Sequence, residues 1–581
     1  MSTRERIRTA GVAWLRRALV VALLTFVAFL GGVATTHLWP VQTQTQYFSA
    51  TISLEPRLSS TITLPTVVGD MEMTFAHRIP APGLTAQVQV RESVTDLLRQ
   101  GRLRTADLQP TQPELRAAID GGAREVGWKF ASGALVTTAA VLLVYAASHP
   151  RRLARAVVAS VTASALALTV PGLAAFLTYR TDRVQEFRTT SLLSLVEGNT
   201  DILSGLDRKA DQGAVYVTNL LALSTAIREE FTPDDAAGTV AARILLVSDI
   251  HGMNHYPLMR EIVQTQQIDA VIDTGDLVNF GQPREGELTG LYQGIENLGV
   301  PYIFVRGNHD AVSSTDEGVL RRLAQVPNVV LLEPTAGDLQ VASVHGVTIT
   351  GFNDSRYFNQ RSDDFGGNQT ELADAFRERT ADLPDSDLVL THQPYAANRV
   401  SAVAATINGH MHAADLQRGH LQVGSFTGGG LVNQFRLPPL TEEAREAAEE
   451  DPATAGELTG HPYSFDVITF AEDCAVSTLT RYSYRNLASG RPQFDDVSLI
   501  NGRSLQPDRP EGRTCSADLG VTVEPIDALA RLMGTDDDHD GDTLPEPTVV
   551  EVTPPDDAVV TTLPPRQPVI IDDEAVTTAP R

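Results

Sequence analysis

ILLVSDIH (244–251), AVIDTGD (270–276), YIFVRGNHD (302–310), LVLTHQP (388–394) and ATINGHMH (405–412) are five apolar runs, each closed by a short polar motif. An apolar run of this length bounded by turn residues reads as a buried strand. Stretches between them, such as YPLMREIVQTQQ (256–267) and GVLRRLAQV (318–326), carry helical spacing, and more strand-like sequence follows near Leu421 to Phe426 and Ser464 to Tyr484. That alternation predicts an α/β domain of two packed sheets flanked by helices. In open α/β sheets, functional groups collect on loops at the carboxyl ends of strands, where all five motifs fall.

The motifs are rich in metal donors. Asp249 and His251 are two apart, which on an extended segment points both side chains the same way and aims them at one ion. His410 and His412 repeat that spacing, letting neighbouring imidazoles address neighbouring ions. Asp276 is the natural bridge, since a carboxylate has two oxygens and the charge to hold two cations close. Nitrogen and oxygen donors without thiolate suit manganese, iron, zinc or cobalt. A structural zinc site usually closes with four Cys or His ligands, whereas here carboxylates and an amide dominate one half, which favours catalysis.

The order D-x-H, G-D, G-N-H-D, H, G-H-x-H resembles the calcineurin-like metallophosphoesterase superfamily over roughly residues 241 to 430. The resemblance implies a four-layer αββα sandwich. It also implies Asp249, His251, Asp276 and His412 around one divalent metal ion, and Asp276, Asn308, His392 and His410 around the other. Two such cations about 4 Å apart activate a shared water and clamp the oxygens of an in-line displacement at phosphorus. His309, outside the ligand set, is by analogy the group that protonates the leaving oxygen or steadies transition-state charge. Asp310 either orients that imidazole or caps the turn after GNH. Arg356 and Tyr357, in GFNDSRYFNQ (351–360), are candidates to contact substrate; His255, Tyr256 and Arg399 are weaker ones. For all five, ordinary packing or surface roles compete. His345 and His420 read as core or surface histidines.

Upstream, Ala18–Trp39 is apolar for long enough, at about 1.5 Å per residue, to cross a hydrocarbon core of about 30 Å. Phe130–Ala147 and Ala156–Tyr179 follow as second and third candidate spans, separated by SHPRRLAR (148–155). Arg4, Arg6, Arg8, Arg16 and Arg17 precede the first, and Arg151, Arg152 and Arg155 lie between the others. Short cytoplasmic segments collect positive charge. The expected arrangement is a multi-pass protein of a bacterial plasma membrane, with residues 40–128 and everything after Tyr179 extracytoplasmic. Failure of the second stretch to insert would reverse the later topology.

The expected domains are therefore a basic tail and first span (1–39), a β-rich extracytoplasmic module (40–128), two spans with their basic loop (129–179), a helical connector (180–240), the metallophosphoesterase domain (241–517) and an acidic disordered tail (518–581). The module rests on period-two stretches such as YFSATISLEP and LTAQVQV, with a helical patch near Ser93 to Leu115. The connector rests on helical spacing over 184–230. The tail is rich in Asp, Glu, Pro and Thr, and its DDDHDGD (536–542) only imitates the start of a calcium loop.

The two cysteines, Cys474 and Cys515, both follow the last span. Pairing them would suit an oxidising compartment, with two unrelated thiols as the alternative. Of the basic residues only Lys129 and Lys209 are lysine, a composition that suggests a GC-rich bacterial genome. A formal charge of -26, with no basic cluster in the catalytic region, disfavours a nucleic-acid substrate. Expected partners are a phosphoester substrate and the lipid bilayer; oligomeric state is not readable. Two alternatives remain, a non-catalytic binding module and a cytoplasm-facing cyclic-nucleotide phosphodiesterase.

Overall fold

In the computed structural model the described residues are 3–46, 48–66, 69–90, 111–190, 239–360, 365–427, 463–484, 494–508, 512–526 and 548–550. The predicted strands form the centre of the downstream half. β7 (Val240–Val247), β8 (Ala270–Asp273), β9 (Tyr302–Phe304) and β10 (Val329–Leu331) pair in parallel, in that order. A second sheet is built on β11 (Gln340–Val344), β12 (Val347–Gly351), β13 (Leu388–Leu390), β14 (Ala405–Asn408), β15 (Asp415–Gln417) and β16 (His420–Gln422), with β12, β13, β14 and β16 parallel.

Strands buried on both faces read as unbroken apolar runs, and these do. Ile244, Leu246, Ile272 and Ile303 of the first sheet meet Val344, Ile349, Leu390 and Ile407 of the second in one core. On the outer face of the first sheet pack α4 (Tyr256–Gln266), α5 (Pro283–Thr289), α6 (Leu291–Glu296) and α7 (Gly318–Leu323), bringing Met259, Ile295 and Leu320 against Leu245, Val271 and Phe304. α8 (Phe365–Thr380) covers the second sheet, setting Ala373 and Phe376 against Phe352 and Val389. Four layers, αββα, result.

Three upstream helices are long and apolar enough to cross a membrane: α1 (Thr3–Leu38), α2 (Gln112–Ser148) and α3 (Leu153–Thr178). Ala28, Ala134 and Ala167 meet where the three pack. At Gly31 of α1 an added Cβ would lie 2.1 Å from Thr137 Oγ1 of α2, the small-residue contact that lets apolar helices approach without a hydrophobic driving force. All three tryptophans border apolar stretches and face outward, Trp14 and Trp39 at the two ends of that of α1 and Trp128 just before that of α2, at 69%, 70% and 74% exposure, a placement that suits a membrane-interface belt. At 37 residues α2 runs about 55 Å, well beyond a hydrocarbon core of about 30 Å. Its first turns, rich in charge, precede Trp128 and pack on the β module, so the helix extends well upstream of the candidate span Phe130–Ala147.

That module holds β1 (Val41–Gln44), β2 (Phe48–Leu54), β3 (Thr61–Thr66), β4 (Gly69–Phe75) and β5 (Leu84–Val90), and it is not a separate body. Residues 184–190, expected to begin a helical connector, form strand β6 (Val184–Thr190). β6 pairs antiparallel with β4 on one side and with β19 (Phe494–Asn501) on the other. β19 continues through β18 (Val476–Tyr484) and β17 (Tyr463–Ala471) to β7, giving one sheet of 13 strands from the module to the catalytic half. Phe187 and Thr189 of β6 are buried on either side of exposed Arg188, a strand period that differs from the helical reading, and Val184 is buried beyond a register irregularity opposite Thr74 and Phe75. The helical patterns at 191–230 and at 93–110 lie outside the described residues.

A second boundary also moves. The expected tail from 518 contributes β20 (Val521–Pro525), which pairs with β11, and β21 (Thr548–Val549) pairs with β20. The alternation Val521-Thr-Val523 fits a half-buried strand near the sheet edge, and a bond six residues earlier holds it in place. Cys474, in the turn between β17 and β18, is disulfide-bonded to Cys515, with Cα atoms 5.2 Å apart and both side chains in the inter-sheet core. The remaining tail, DDDHDGD included, lies outside the described residues. With a sequence separation of 41 between the cysteines, Cys474→Ser should lower stability by about 2–4 kcal/mol. Thermal unfolding of the full chain should show the same loss on reduction, and no further loss when reductant is added to the variant.

Candidate metal centre

Each motif leaves the carboxyl end of a parallel strand. Asp249 and His251 follow β7, Asp276 follows β8, Asn308 and His309 follow β9, His392 follows β13, and His410 and His412 follow β14. The backbone there is not extended, which corrects the alternation argument for Asp249 with His251 and for His410 with His412. Asp249, His251, Asp276, His410 and His412 all have positive φ, between 49° and 69°. Non-glycine residues rarely adopt this left-handed conformation, and its concentration at one place is characteristic of a functional site. Convergence comes from sharp turns rather than from the pleat.

Those turns are packed against one another. Asp249 N donates to Gly275 O at 3.0 Å and His251 N to Asp276 O at 2.9 Å, joining the first two motifs. Gly275, at φ 100°, and Gly307 touch: a Cβ on Gly275 would lie 2.3 Å from Gly307 N, and one on Gly307 would lie 2.3 Å from Asp276 Oδ1. Asp310 closes the arrangement. Its buried carboxylate accepts from the backbone N–H of Asp276 (2.8 Å), Gly307 (2.9 Å) and Val278 (3.1 Å). The orienting role for Asp310 is thereby corrected, because His309 Nδ1 instead faces the Asn279 carbonyl at 2.7 Å.

Two donor groups result. Asp249, His251 and His412 bring one ligand atom each to within 4.8 Å of one another, and so do Asp276, His392 and His410. Asp276 Oδ2 lies 3.1 Å from His392 Nε2 and 3.9 Å from His251 Nε2, so one oxygen stands between the groups. Asn308 Oδ1 lies beside the second group, 3.2 Å from Arg356 Nη2, which is itself 3.5 Å from His410 Nε2. Arg356 is further held by Asp354 at 3.2 Å. Tyr357 is half-buried next to it, and among the described residues no hydrogen bond joins its side chain to a ligand. Phe358 packs on His309 instead, ring centroids 5.5 Å apart.

The chemistry of these atoms fits cations. Asp249 Oδ1, His251 Nδ1 and His392 Nε2 are buried without a well-formed hydrogen bond, and Asp249 Oδ1 and His392 Nε2 face other candidate donors, His412 Nε2 at 3.2 Å and Asp276 Oδ2 at 3.1 Å. His392 Nδ1 lies 2.8 Å from the Thr274 carbonyl, to which a protonated Nδ1 donates, and this fixes the ring with Nε2 as the nitrogen facing Asp276. His251 Nε2 and His412 Nε2 face each other at 3.1 Å, an approach that a shared cation would relieve. Burial pushes His251 down to about 4, and burial with the nearby His392 does the same for His410, so both are neutral donors near pH 7. Burial would raise Asp249, but the adjacent His412 outweighs it and holds the carboxyl at about 2.

Residues 242–414 match the family model described as calcineurin-like phosphoesterase. This segment is a calcineurin-like phosphoesterase domain. Such a domain is that of a metal-dependent phosphoesterase, and the match covers under a third of the chain. No curated protein matches the chain. Among solved structures the chain is similar to a dimetal phosphatase from Danio rerio, at 11% identity over 45% of this chain and 100% of that one, with a TM-score of 0.28. It is also similar to purple acid phosphatase PPD1 from yellow lupin, Lupinus luteus, at 14% identity over 46% of this chain and 55% of that one, with a TM-score of 0.27. The functional reading rests on the residues of this chain.

Other candidates fall elsewhere. Tyr256 bonds Tyr302, which in turn bonds Asp273, inside the phosphoesterase core. His255 precedes α4, Arg399 lies over the Tyr395 ring, and His345 pairs with Asp269 at 3.4 Å. His420 Nε2 meets Asn408 Oδ1 at 2.6 Å, one residue before Gly409. Sequence reasoning missed Thr274 and Asn279, whose carbonyls fix His392 and His309; a backbone carbonyl carries no residue-type signal.

Two outcomes are expected. Asp276→Asn and His410→Ala should abolish hydrolysis together with tight metal binding, checked by metal content after dialysis and by turnover. Asp310→Asn puts an NH₂ among three backbone N–H donors, and should cost about 1–3 kcal/mol in denaturant unfolding of the metal-free protein.

Proposed function

We propose that this chain is a membrane-anchored phosphoester hydrolase with two divalent cations, working outside the cytoplasm on a phosphomonoester, phosphodiester or diphosphate that carries an apolar group. The carrying observation is the pair of three-residue donor groups joined through Asp276. Cations held there would supply Lewis acidity and an activated water at neutral pH. Asp249, His251, Asp276 and His412 would hold one, and Asp276, Asn308, His392 and His410 the other. The chain's own residues do the rest. Arg356, beside Asn308 and His410, offers its guanidinium to a phosphoryl oxygen. His309, with Nδ1 committed to the Asn279 carbonyl, presents Nε2 as the proton carrier for the leaving oxygen.

Apolar substrate chemistry is supported by the rims of the motif loops. Met253, Phe280, Val312, Tyr395 and Met411 each lie within four residues of a metal ligand or of His309, and each is 41–51% exposed. Phe280 also packs on Phe358, 5.3 Å between centroids. Ligand loops of a site for small polar phosphates have no need of such a rim.

Sidedness is supported by the sheet. A ladder running β4–β6–β19 cannot pass through a bilayer, so the β module and the phosphoesterase domain share one side, and α2 and α3 either both cross or neither does. With both crossing, arginines at 151, 152 and 155 and at 16 and 17 lie on the opposite, cytoplasmic side. The disulfide agrees with an oxidising compartment.

His309→Ala should retain its metals and lose about 10²–10⁴-fold in turnover on a substrate with a poor leaving group, with a smaller loss on a chromogenic aryl phosphate. Equal losses on both remove the acid role. For sidedness, Leu288→Cys should react with a membrane-impermeant maleimide in intact cells, and Arg151→Cys only after permeabilisation; the reverse pattern puts the site in the cytoplasm. Metal-free protein that gains no turnover on monoester, diester or lipid diphosphate with manganese, zinc, iron or cobalt refutes the hydrolase.

A further inference from the structure

Between the β module and the outer ends of α2 and α3 lies a cavity of about 750 Å³, far from the metal centre. Its walls are hydrocarbon: Phe48 and Val88 from the sheet, Val126 and Phe130 from α2, Leu168 and Phe176 from α3. We propose that this cavity holds the hydrocarbon tail of a phospholipid from the outer leaflet, drawn up out of the bilayer between the helices and onto the sheet.

Three observations select that occupant. First, the cavity spans the membrane boundary. Trp128 marks the interface on α2, and lining residues lie on both sides of it, Leu115 above and Phe130 below. Leu168 and Phe176 belong to the apolar stretch of α3, so the cavity opens towards the hydrocarbon region that stretch would occupy. Second, Arg180 stands at the cavity edge, two residues past the end of α3, at the level of lipid phosphates. Its pairing with Asp182 at 2.9 Å is exposed and open to exchange for a phosphate. Third, room remains at the helix walls. Gly127 and Gly172 both line the cavity, and a Cβ on either meets nothing within 4 Å. An apolar void of this size reaching the bilayer gains by taking in an acyl chain, since water there finds few polar partners.

The inference depends on α1–α3 crossing a bilayer, which the maleimide labelling above tests separately. The full chain would be reconstituted in phosphatidylglycerol vesicles containing a tracer phosphatidylglycerol with a photoreactive diazirine near the end of one acyl chain. Adducts are expected on β5 and β2, which bulk lipid does not touch. They should fall at least about tenfold in Gly127→Phe/Gly172→Phe, while adducts on the lipid-facing residues of α1 persist and hydrolysis of a chromogenic phosphoester is unchanged. Adducts confined to the helices, or equal labelling of β5 in the filled variant, overturn the proposal. A benzophenone side chain at Ala86, another lining residue, reads the same question from the protein. A phospholipid adduct supports the inference, and an intrachain adduct with residues 91–110 overturns it, because the chain then fills its own cavity.

Discussion

The Asp310 carboxylate accepts from three backbone N–H groups that belong to two different loops, those after β8 and β9. Without it, Asp276 and Val278 would carry buried, unpaired donors at the place where the chain must turn left-handed. Positive φ at five ligands costs on the order of 1–3 kcal/mol each unless the surroundings over-determine it. Asp310, the Gly275–Gly307 contact and the bonds from Asp249 and His251 to the β8 loop supply that constraint. Donor groups are thus held before any cation arrives, with their ligand atoms already converging, and strain is stored where the cations would offset it.

That six of these donors converge in two groups was legible because metal donors are chemically rare in buried apolar surroundings, and five such motifs in order admit few readings. The αββα layers were legible for a similar reason, since apolar runs alternating with helical periods specify sheets covered on both faces. Asp310 was harder. An aspartate after GNH looks the same whether it serves an imidazole or a turn, and only the positions of N–H groups on a loop 34 residues away decide it.

Elements defined by distant partners were misread or cut short. Residues 184–190 offer one strand period to a local reading and little else; what makes them a strand is β4 more than a hundred residues before and β19 some three hundred after. β20 lay beyond an expected boundary because acidic composition dominates the tail, while its pairing with β11 is invisible locally. Hydropathy also truncated α2, since it registers the apolar part that suits a membrane and passes over the charged turns packed on the module.

β6 has one more implication. Its two flanking ladders leave no hinge between the β module and the catalytic half, because any pivot there must break backbone hydrogen bonds on a shared sheet. At about 4.8 Å per strand, β6 to β8 spans about 24 Å, a separation set by the ladder rather than by a tether. The metal centre is therefore held at a fixed separation from the β module and from the ends of α2 and α3 that border it. On the membrane-anchored reading proposed above, that rigid spacing would distinguish esters of the same chemistry by how far their headgroups stand from the bilayer.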